Sequence, residues 1–249
     1  MKVNKGDIFK IGNHIIGCGD STDRKFVAKV IEKNKIRAII TDPPYGVAYV
    51  ENKQGFARLG VKDEKIIVGD HLQSESEYED FTKRYLGAVV PYLDEYNACY
   101  VFNADPMFPA LRRGMKNAGF YYSQMIIWIK NQPVMSRKDY LSQYEIIAYG
   151  WFGKHRMERS KSKNVIYHPR PNRSRLHPTQ KPMGLLRKII PDATCVGDFI
   201  YDPFLGSGST AIASEHLGRK CIGIEIDEAY VSVILERLEK LTGQKPIKV

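Results

Sequence analysis

Asp42, Pro43, Pro44 and Tyr45 follow directly on the apolar run Ile36-Arg37-Ala38-Ile39-Ile40-Thr41. The run reads as a buried strand. Its carboxyl end is where open α/β sheets place their ligands. A carboxylate, two residues without N–H groups and an aromatic ring together suit a flat ring that bears an amine. The exocyclic amine of adenine or cytosine is a poor nucleophile, because its lone pair is delocalised into the ring. A site that uses it must accept hydrogen bonds from both N–H groups, which favours a tetrahedral nitrogen. Asp42, ionised at neutral pH, is one acceptor. A prolyl carbonyl is a second, with φ fixed and competing donors removed by the Pro-Pro unit. Tyr45 can stack on the base face, an interaction worth about 1–3 kcal/mol. The plainer reading of the tetrapeptide is a Pro-rich turn with Asp42 as a local cap.

A second constellation stands late in the chain. Asp202-Pro203-Phe204-Leu205-Gly206-Ser207-Gly208-Ser209-Thr210 joins an expected strand to an expected helix. Gly206 and Gly208 allow a tight turn and close backbone approach to a ligand. The helix N-terminus offers free N–H groups to a carboxylate or phosphate. Nineteen residues past Gly206, Glu225 ends the run Cys221-Ile222-Gly223-Ile224. An acid at that place commonly holds ribose hydroxyls. The loop also satisfies the dinucleotide pattern G-x-G-x-x-A. Asp202 argues against that, since an acid sits badly beside a pyrophosphate and better beside an ammonium. A strand-end turn acid is the plainer reading of Asp202. Upstream, His177-Pro178-Thr179-Gln180-Lys181-Pro182 carries a hydroxyl and a cation, and Lys181 could neutralise a ligand carboxylate.

The elements that must position these residues alternate. Strands are expected over 14–18, 36–41, 98–102, 125–130, 145–149, 198–201 and 221–225, and helices over 24–32, 77–90, 106–117, 184–190, 209–217 and 228–241. The tracts 46–70 and 151–182 read as irregular. Strands alternating with helices imply a mostly parallel sheet covered on both faces. The 249 residues suit one α/β domain.

The net charge of +10 points to a polyanionic partner. Lys154, Arg156, Arg159, Lys161, Lys163, Arg170, Arg173 and Arg175 cluster in one stretch, opposed there only by Glu158. Such one-sidedness reads as a phosphate-contacting surface. A weaker cluster, Lys53, Arg58, Lys62 and Lys65, is diluted by acids. Cys18, Cys99, Cys195 and Cys221 form no C-x-x-C pair, and neither they nor the six histidines have metal-ligand spacing. Reduced thiols in a cytosolic protein are expected. No apolar run reaches the ~18 residues of a membrane span, and no signal peptide is expected.

Taken in order, the 42–45, 177–182 and 202–210 motifs resemble those of the S-adenosylmethionine-dependent amino-methyltransferases of DNA, the N6-adenine and N4-cytosine enzymes. The catalytic motif preceding the cofactor loop resembles the beta class. Gly19-Asp20-Ser21, Ile126-Ile127-Trp128-Ile129-Lys130, Gln143-Tyr144-Glu145 and the segment from Tyr230 to Gly243 resemble other family elements, so nearly the whole chain is covered. The resemblance implies a circularly permuted Rossmann-like sheet of seven strands in a single domain over 1–249. Short target-recognition insertions would occupy about 46–70 and 131–176. It implies that Asp42 and the Pro43 carbonyl accept from the target amine while Tyr45 stacks on the flipped base. S-adenosylmethionine would be held by Asp202, Lys181 and Thr179 at its methionine end and by Glu225 at its ribose. Asp20 would meet its adenine, with Phe204, Gly206 and Gly208 lining it.

The substrate implied is double-stranded DNA, and Asp rather than Ser at the first motif position favours adenine over cytosine. A cytoplasmic bacterial or phage-encoded enzyme is expected, as monomer or homodimer, with a companion restriction endonuclease compatible with it. The other classes are an N4-cytosine enzyme, a non-catalytic DNA-binding derivative of the fold, and an NAD-dependent oxidoreductase. Residues 1–150 suggest no hydride-transfer site for the last.

Overall fold

A computed structural model describes residues 2–46, 72–134, 139–159, 162–169 and 181–249. The irregular tract expected over 46–70 and its weaker basic cluster fall outside these residues, apart from Gly46. So do Lys161, Arg170, Arg173, Arg175, Thr179 and most of the 177–182 motif.

Ten strands and six α-helices occur among the described residues. In chain order they are β1 (Ile8–Ile11), β2 (His14–Cys18), α1 (Arg24–Ile31), β3 (Ile36–Thr41), α2 (Glu75–Val89), β4 (Leu93–Asn103), α3 (Phe108–Asn117) and β5 (Phe120–Ile129). There follow β6 (Tyr144–Phe152), β7 (Val165–Tyr167), α4 (Met183–Ala193), β8 (Phe199–Asp202), α5 (Ser209–His216), β9 (Lys220–Glu225), α6 (Glu228–Thr242) and β10 (Ile247–Lys248).

All strands join one sheet, in the order β10-β1-β2-β9-β8-β3-β4-β6-β5-β7. The five from β2 to β4 are mutually parallel, and β6 runs against both β4 and β5. The seven expected strands are thus the middle of the sheet. A β1–β10 pair extends one edge and β7 the other, a correction to the expected count. These three strands are two to four residues long, too short to show a period. Three of the expected strands are longer by four or more residues in the structure. The first turns of β4 and β5 carry Asp94, Glu95, Tyr121 and Gln124, half-buried or exposed residues that hide the strand pattern. Residues 145–149 belong to the nine-residue β6, so the range 131–176 contains a sheet strand.

Strand alternation divides the core. Ile39, Val101 and Ile222 face α1, α2 and α3, against Val27, Tyr85 and Leu111. Ala38, Ile40 and Phe102 face α4, against Leu185, Leu186 and Ile189. Ile16 and Cys221 pack against α5 and α6. Among the described residues, three of the six helix starts, those of α1, α2 and α6, are capped by a side chain of their own sequence. Asp23 accepts from Lys25 N at 2.8 Å, and Ser74 and Glu77 form a reciprocal box that starts α2 before residue 77. Cys18, Cys99 and Cys221 are buried, while Cys195 is exposed rather than in the core. No helix among the described residues is long and apolar enough to cross a membrane.

The connection from β3 leaves through α2 on one face, and that from β8 leaves through α5 on the other. The two strands are neighbours. Their carboxyl ends therefore frame a crevice at the point where the winding reverses, the general ligand site of such sheets.

Candidate active site

Asp42 and Asp202 stand at the two lips of that crevice. Thr41 Oγ1 donates to Asp202 Oδ1 at 2.7 Å, so the first motif is tied to the last.

Asp42 is fully engaged. Tyr45 OH donates to its Oδ1 at 2.6 Å, and Lys181 Nζ donates to its Oδ2 at 2.6 Å. Lys181, just before α4, also lies 3.1 Å from Glu145 Oε2. Glu145 enters from β6, and its Oε1 meets Lys130 Nζ, from the end of β5, at 2.7 Å. Phe102 and Tyr45 wall the Lys181 ammonium, their ring centres 5.2 and 5.7 Å away. Two ammoniums and two carboxylates from four different parts of the chain thus close a charge-balanced cluster. Pro43 is buried behind it, with Pro44 half-buried.

Lys181 was expected against a ligand carboxylate; here it holds Asp42 and Glu145. Tyr45 was expected on a base face; here its hydroxyl caps Asp42. Glu145 and Lys130 received no role from the sequence. Buried charges need partners, but which partner a strand-end Glu meets is a property of the sheet order.

Burial raises the Asp42 carboxyl above its ordinary value, and Lys181 offsets that only in part. Burial also acts to raise Glu145, but the Lys181 and Lys130 ammoniums outweigh it and hold that carboxyl low. Burial acts to lower Lys181, and Asp42 and Glu145 together keep it raised and charged.

The other lip is a glycine-rich turn flanked by the carboxylates of Asp202 and Glu225. Gly206 and Gly208 take φ of 54° and 86°, a region that favours glycine. Gly208 caps α5 without a side-chain bond, leaving the first-turn N–H groups to a ligand. Ser207 Oγ is buried with no partner among the described residues. Phe204 is set by α2, with ring centres 5.4 Å from Phe81 and 5.0 Å from Tyr85. Glu225 accepts from Gly206 N at 2.7 Å and from Asp227 N at 2.9 Å. Asp20 sits beside it in space, since Gly19 N donates to the Glu225 carbonyl at 2.9 Å. Asp20 Oδ1 accepts from Thr22 N at 2.8 Å. Burial pushes Asp202 up to about 6 and Glu225 up to about 7.

The Glu225 shift makes a prediction. A carboxyl harder to ionise in the fold than in the unfolded chain opposes folding once it must ionise. Its contribution is whole below the unfolded value of 4.5 and is lost as pH rises through about 7. Glu225→Gln removes that titration. In urea melts of the ligand-free protein, the variant should gain on wild type by roughly 2–4 kcal/mol between pH 4 and pH 8. Parallel pH profiles would refute the assignment.

The basic stretch is divided by the fold. Arg37, at the start of β3, donates to the carbonyls of Tyr96 and Arg156 and lies 2.8 Å from Glu158. Arg159 N donates to Asp192 O, near the end of α4, at 3.2 Å. Lys154, Arg156 and Arg159 therefore stand at the amino ends of the parallel strands, a strand length of roughly 20 Å from Asp42. Lys154 pairs with Glu95 and Arg156 with Glu158. Lys163 is exposed just before β7. From there the chain climbs to the catalytic rim, where His168 N donates to Ile129 O at 3.0 Å.

The family model described as DNA methylase, of the N6/N4 class, matches residues 36–236. This chain belongs to that DNA methylase family. The matched span holds both lips of the crevice and the Lys181–Glu145 cluster.

Named relatives agree. The methylase is 26% identical over 239 residues to the type II methyltransferase M.HpaI of Haemophilus parainfluenzae, covering 85% of this chain and 70% of that protein. It is 26% identical over 238 residues to M2.DpnII of Streptococcus pneumoniae, covering 86% of each. Among solved structures, the complex of M1.HpyAVI with SAM superposes with a TM-score of 0.64 at 24% identity, covering 89% and 98% of the two chains. PvuII DNA methyltransferase, described as cytosine-N4-specific, gives 0.71 at 18% identity, covering 93% and 91%. These structures share the permuted sheet of the DNA methylase described above.

Proposed function

We propose that this DNA methylase transfers a methyl group from S-adenosylmethionine to the N6 amine of a flipped-out adenine in double-stranded DNA. One observation carries the reading. Asp42, the amine acceptor, and Asp202, the first acid of the ligand-binding lip, are linked through Thr41 across adjacent strands at 2.7 Å. The chemistry of the second lip suits the cofactor. The uncapped turn before α5 offers N–H groups to a carboxylate, Asp202 an acceptor to an ammonium, and Glu225 an acceptor to ribose hydroxyls. The unpartnered Ser207 hydroxyl is left for the same ligand. Thr179 and Asp20 remain assigned to it from the sequence, at its methionine and adenine ends.

S-adenosylmethionine, when bound, supplies a methyl group on a positively charged sulfur. The chain's own residues prepare the acceptor. Asp42 takes one amine N–H and the Pro43 carbonyl the other, which localises the nitrogen lone pair. Tyr45 leaves Asp42 and covers the base face. As the nitrogen gains a methyl it loses a proton, and the Asp42 carboxylate is the base in reach of it. No cysteine nucleophile is needed. Leaving the duplex costs the base a few kcal/mol of unstacking, which stacking on Tyr45 and phosphate contacts offset.

Adenine rather than cytosine rests on Asp42 at the first motif position, where N4-cytosine relatives typically carry Ser. The phosphate-contacting role is assigned to Arg170, Arg173 and Arg175, because the segment that carries them runs between Pro169 and Lys181, whose neighbours His168 and Asp42 stand at the catalytic rim. A cytoplasmic enzyme acting as monomer or homodimer, solitary or beside a type II endonuclease, completes the proposal. The test is expression in a bacterium that lacks DNA methylation, followed by digestion of its DNA to nucleosides. N6-methyladenine is the expected product. N4-methylcytosine would move the target to cytosine, and no modified base together with no S-adenosylmethionine binding would mark a non-catalytic derivative.

A further inference from the structure

Asp42 already carries a donor on each oxygen, Tyr45 on Oδ1 and Lys181 on Oδ2, so an arriving amine must compete with one of them for its place on the carboxylate. Tyr45 can swing away, because its hydroxyl is an ordinary neutral donor. Lys181 is different. It is a buried ammonium, 8% exposed, and a buried ammonium that loses its carboxylate must find another at once.

We propose that Glu145 is that second seat, a positioning residue that frees Asp42 by taking over the Lys181 ammonium when the target amine arrives. This rests on the amine-methylation reading above. Three features of the geometry argue for it. Lys181 Nζ already lies 3.1 Å from Glu145 Oε2, against 2.6 Å from Asp42 Oδ2, so the transfer is a shift of weight between two contacts. Glu145 is anchored at its other oxygen by Lys130 at 2.7 Å, so it stays in place as the receiving group. The ammonium is 8% exposed and lies 5.2 Å from the Phe102 ring centre, so a carboxylate is a better partner for it than bulk solvent. The exchange buries no new charge, because the two lysines and two carboxylates balance before and after it.

Without Glu145, Asp42 is the sole carboxylate on Lys181, and the lysine locks it. The cost of losing Glu145 should therefore exist only while Lys181 is present. That is a coupling a double-mutant cycle measures. Wild type, Glu145→Gln, Lys181→Met and the double variant are assayed on unmethylated DNA at saturating S-adenosylmethionine. Equilibrium dialysis of S-adenosylmethionine and a thermal melt serve as controls.

Glu145→Gln should lose at least about thirtyfold in kcat with its cofactor affinity within a few-fold of wild type. Adding it to Lys181→Met should cost less than about threefold more. Glu145→Asp should recover part of the loss, and it replaces Gln in the cycle if Glu145→Gln does not fold. Equal losses in both lysine backgrounds, or a Glu145→Gln enzyme within twofold of wild type, would overturn the inference. A wild-type protein that forms no methylated base would instead refute the functional reading beneath it.

Discussion

Asp42→Ala should lower the rate of methyl transfer by about a thousandfold, the loss seen when a developing charge is left without its partner. S-adenosylmethionine binding should persist, because Asp202, the glycine turn after it, Glu225 and Asp20 stand at or just beyond the ends of β8, β9 and β2 and do not depend on Asp42. The fold should survive as well. Lys181 loses one carboxylate but keeps Glu145 at 3.1 Å, so no ammonium is left buried alone. Thr41 still donates to Asp202, so the two lips stay joined. The measurement is single-turnover transfer of labelled methyl to DNA, with cofactor affinity taken by equilibrium dialysis on the same preparation. Near-wild-type turnover would end the claim that Asp42 prepares the amine. Loss of both turnover and cofactor binding would show that the substitution had damaged the crevice as a whole.

Replacing Arg170, Arg173 and Arg175 together by Ala should flatten the salt dependence of DNA binding. Each phosphate contact contributes about 0.9 to the slope of log K against log salt, so three contacts would remove roughly 2.7. At low salt the affinity should drop at least about a hundredfold. The matching triple replacement of Lys154, Arg156 and Arg159 should leave the slope nearly unchanged. Those side chains stand at the opposite ends of the strands from Asp42, and two of them are already paired with Glu95 and Glu158. Titrations of a fluorescent duplex across salt concentrations give both slopes. Equal slopes for wild type and the first triple variant would remove the arginines from the interface. A flattened slope for the second would place DNA along the far edge of the sheet.

The contrast between those two sets of cations shows where the sequence stops. Eight cations in one short stretch look like one surface. In space the stretch begins at the amino ends of the strands, rises past β7 and reaches the catalytic rim only near residue 168. One-dimensional clustering carries no information about which end of a sheet a loop occupies. The same holds for strand number. β1, β7 and β10 are too short for a two-residue alternation to declare itself, and they exist because a longer neighbour pairs with them.

Other features were legible from the residues alone, because they are local. An apolar run followed by an acid gives a strand and the group at its end. Two glycines after a strand give a tight turn with positive φ, and an acid at the end of the next strand folds back onto that turn. Asp23 starts a helix through a bond that spans only two residues. The amino-acid sequence therefore determined that Asp42, Asp202, Gly206, Gly208 and Glu225 stand at or just beyond strand ends, and it determined the alternating α/β class and the order of its motifs. The tertiary structure alone decided that Lys181, 139 residues from Asp42, sits on its carboxylate. It alone brought in Glu145 and Lys130, and it placed Lys154 and Arg156 far from the crevice. The reason is physical: local bonds are written in neighbouring residues, whereas a buried ion's partner is set by which strands lie side by side.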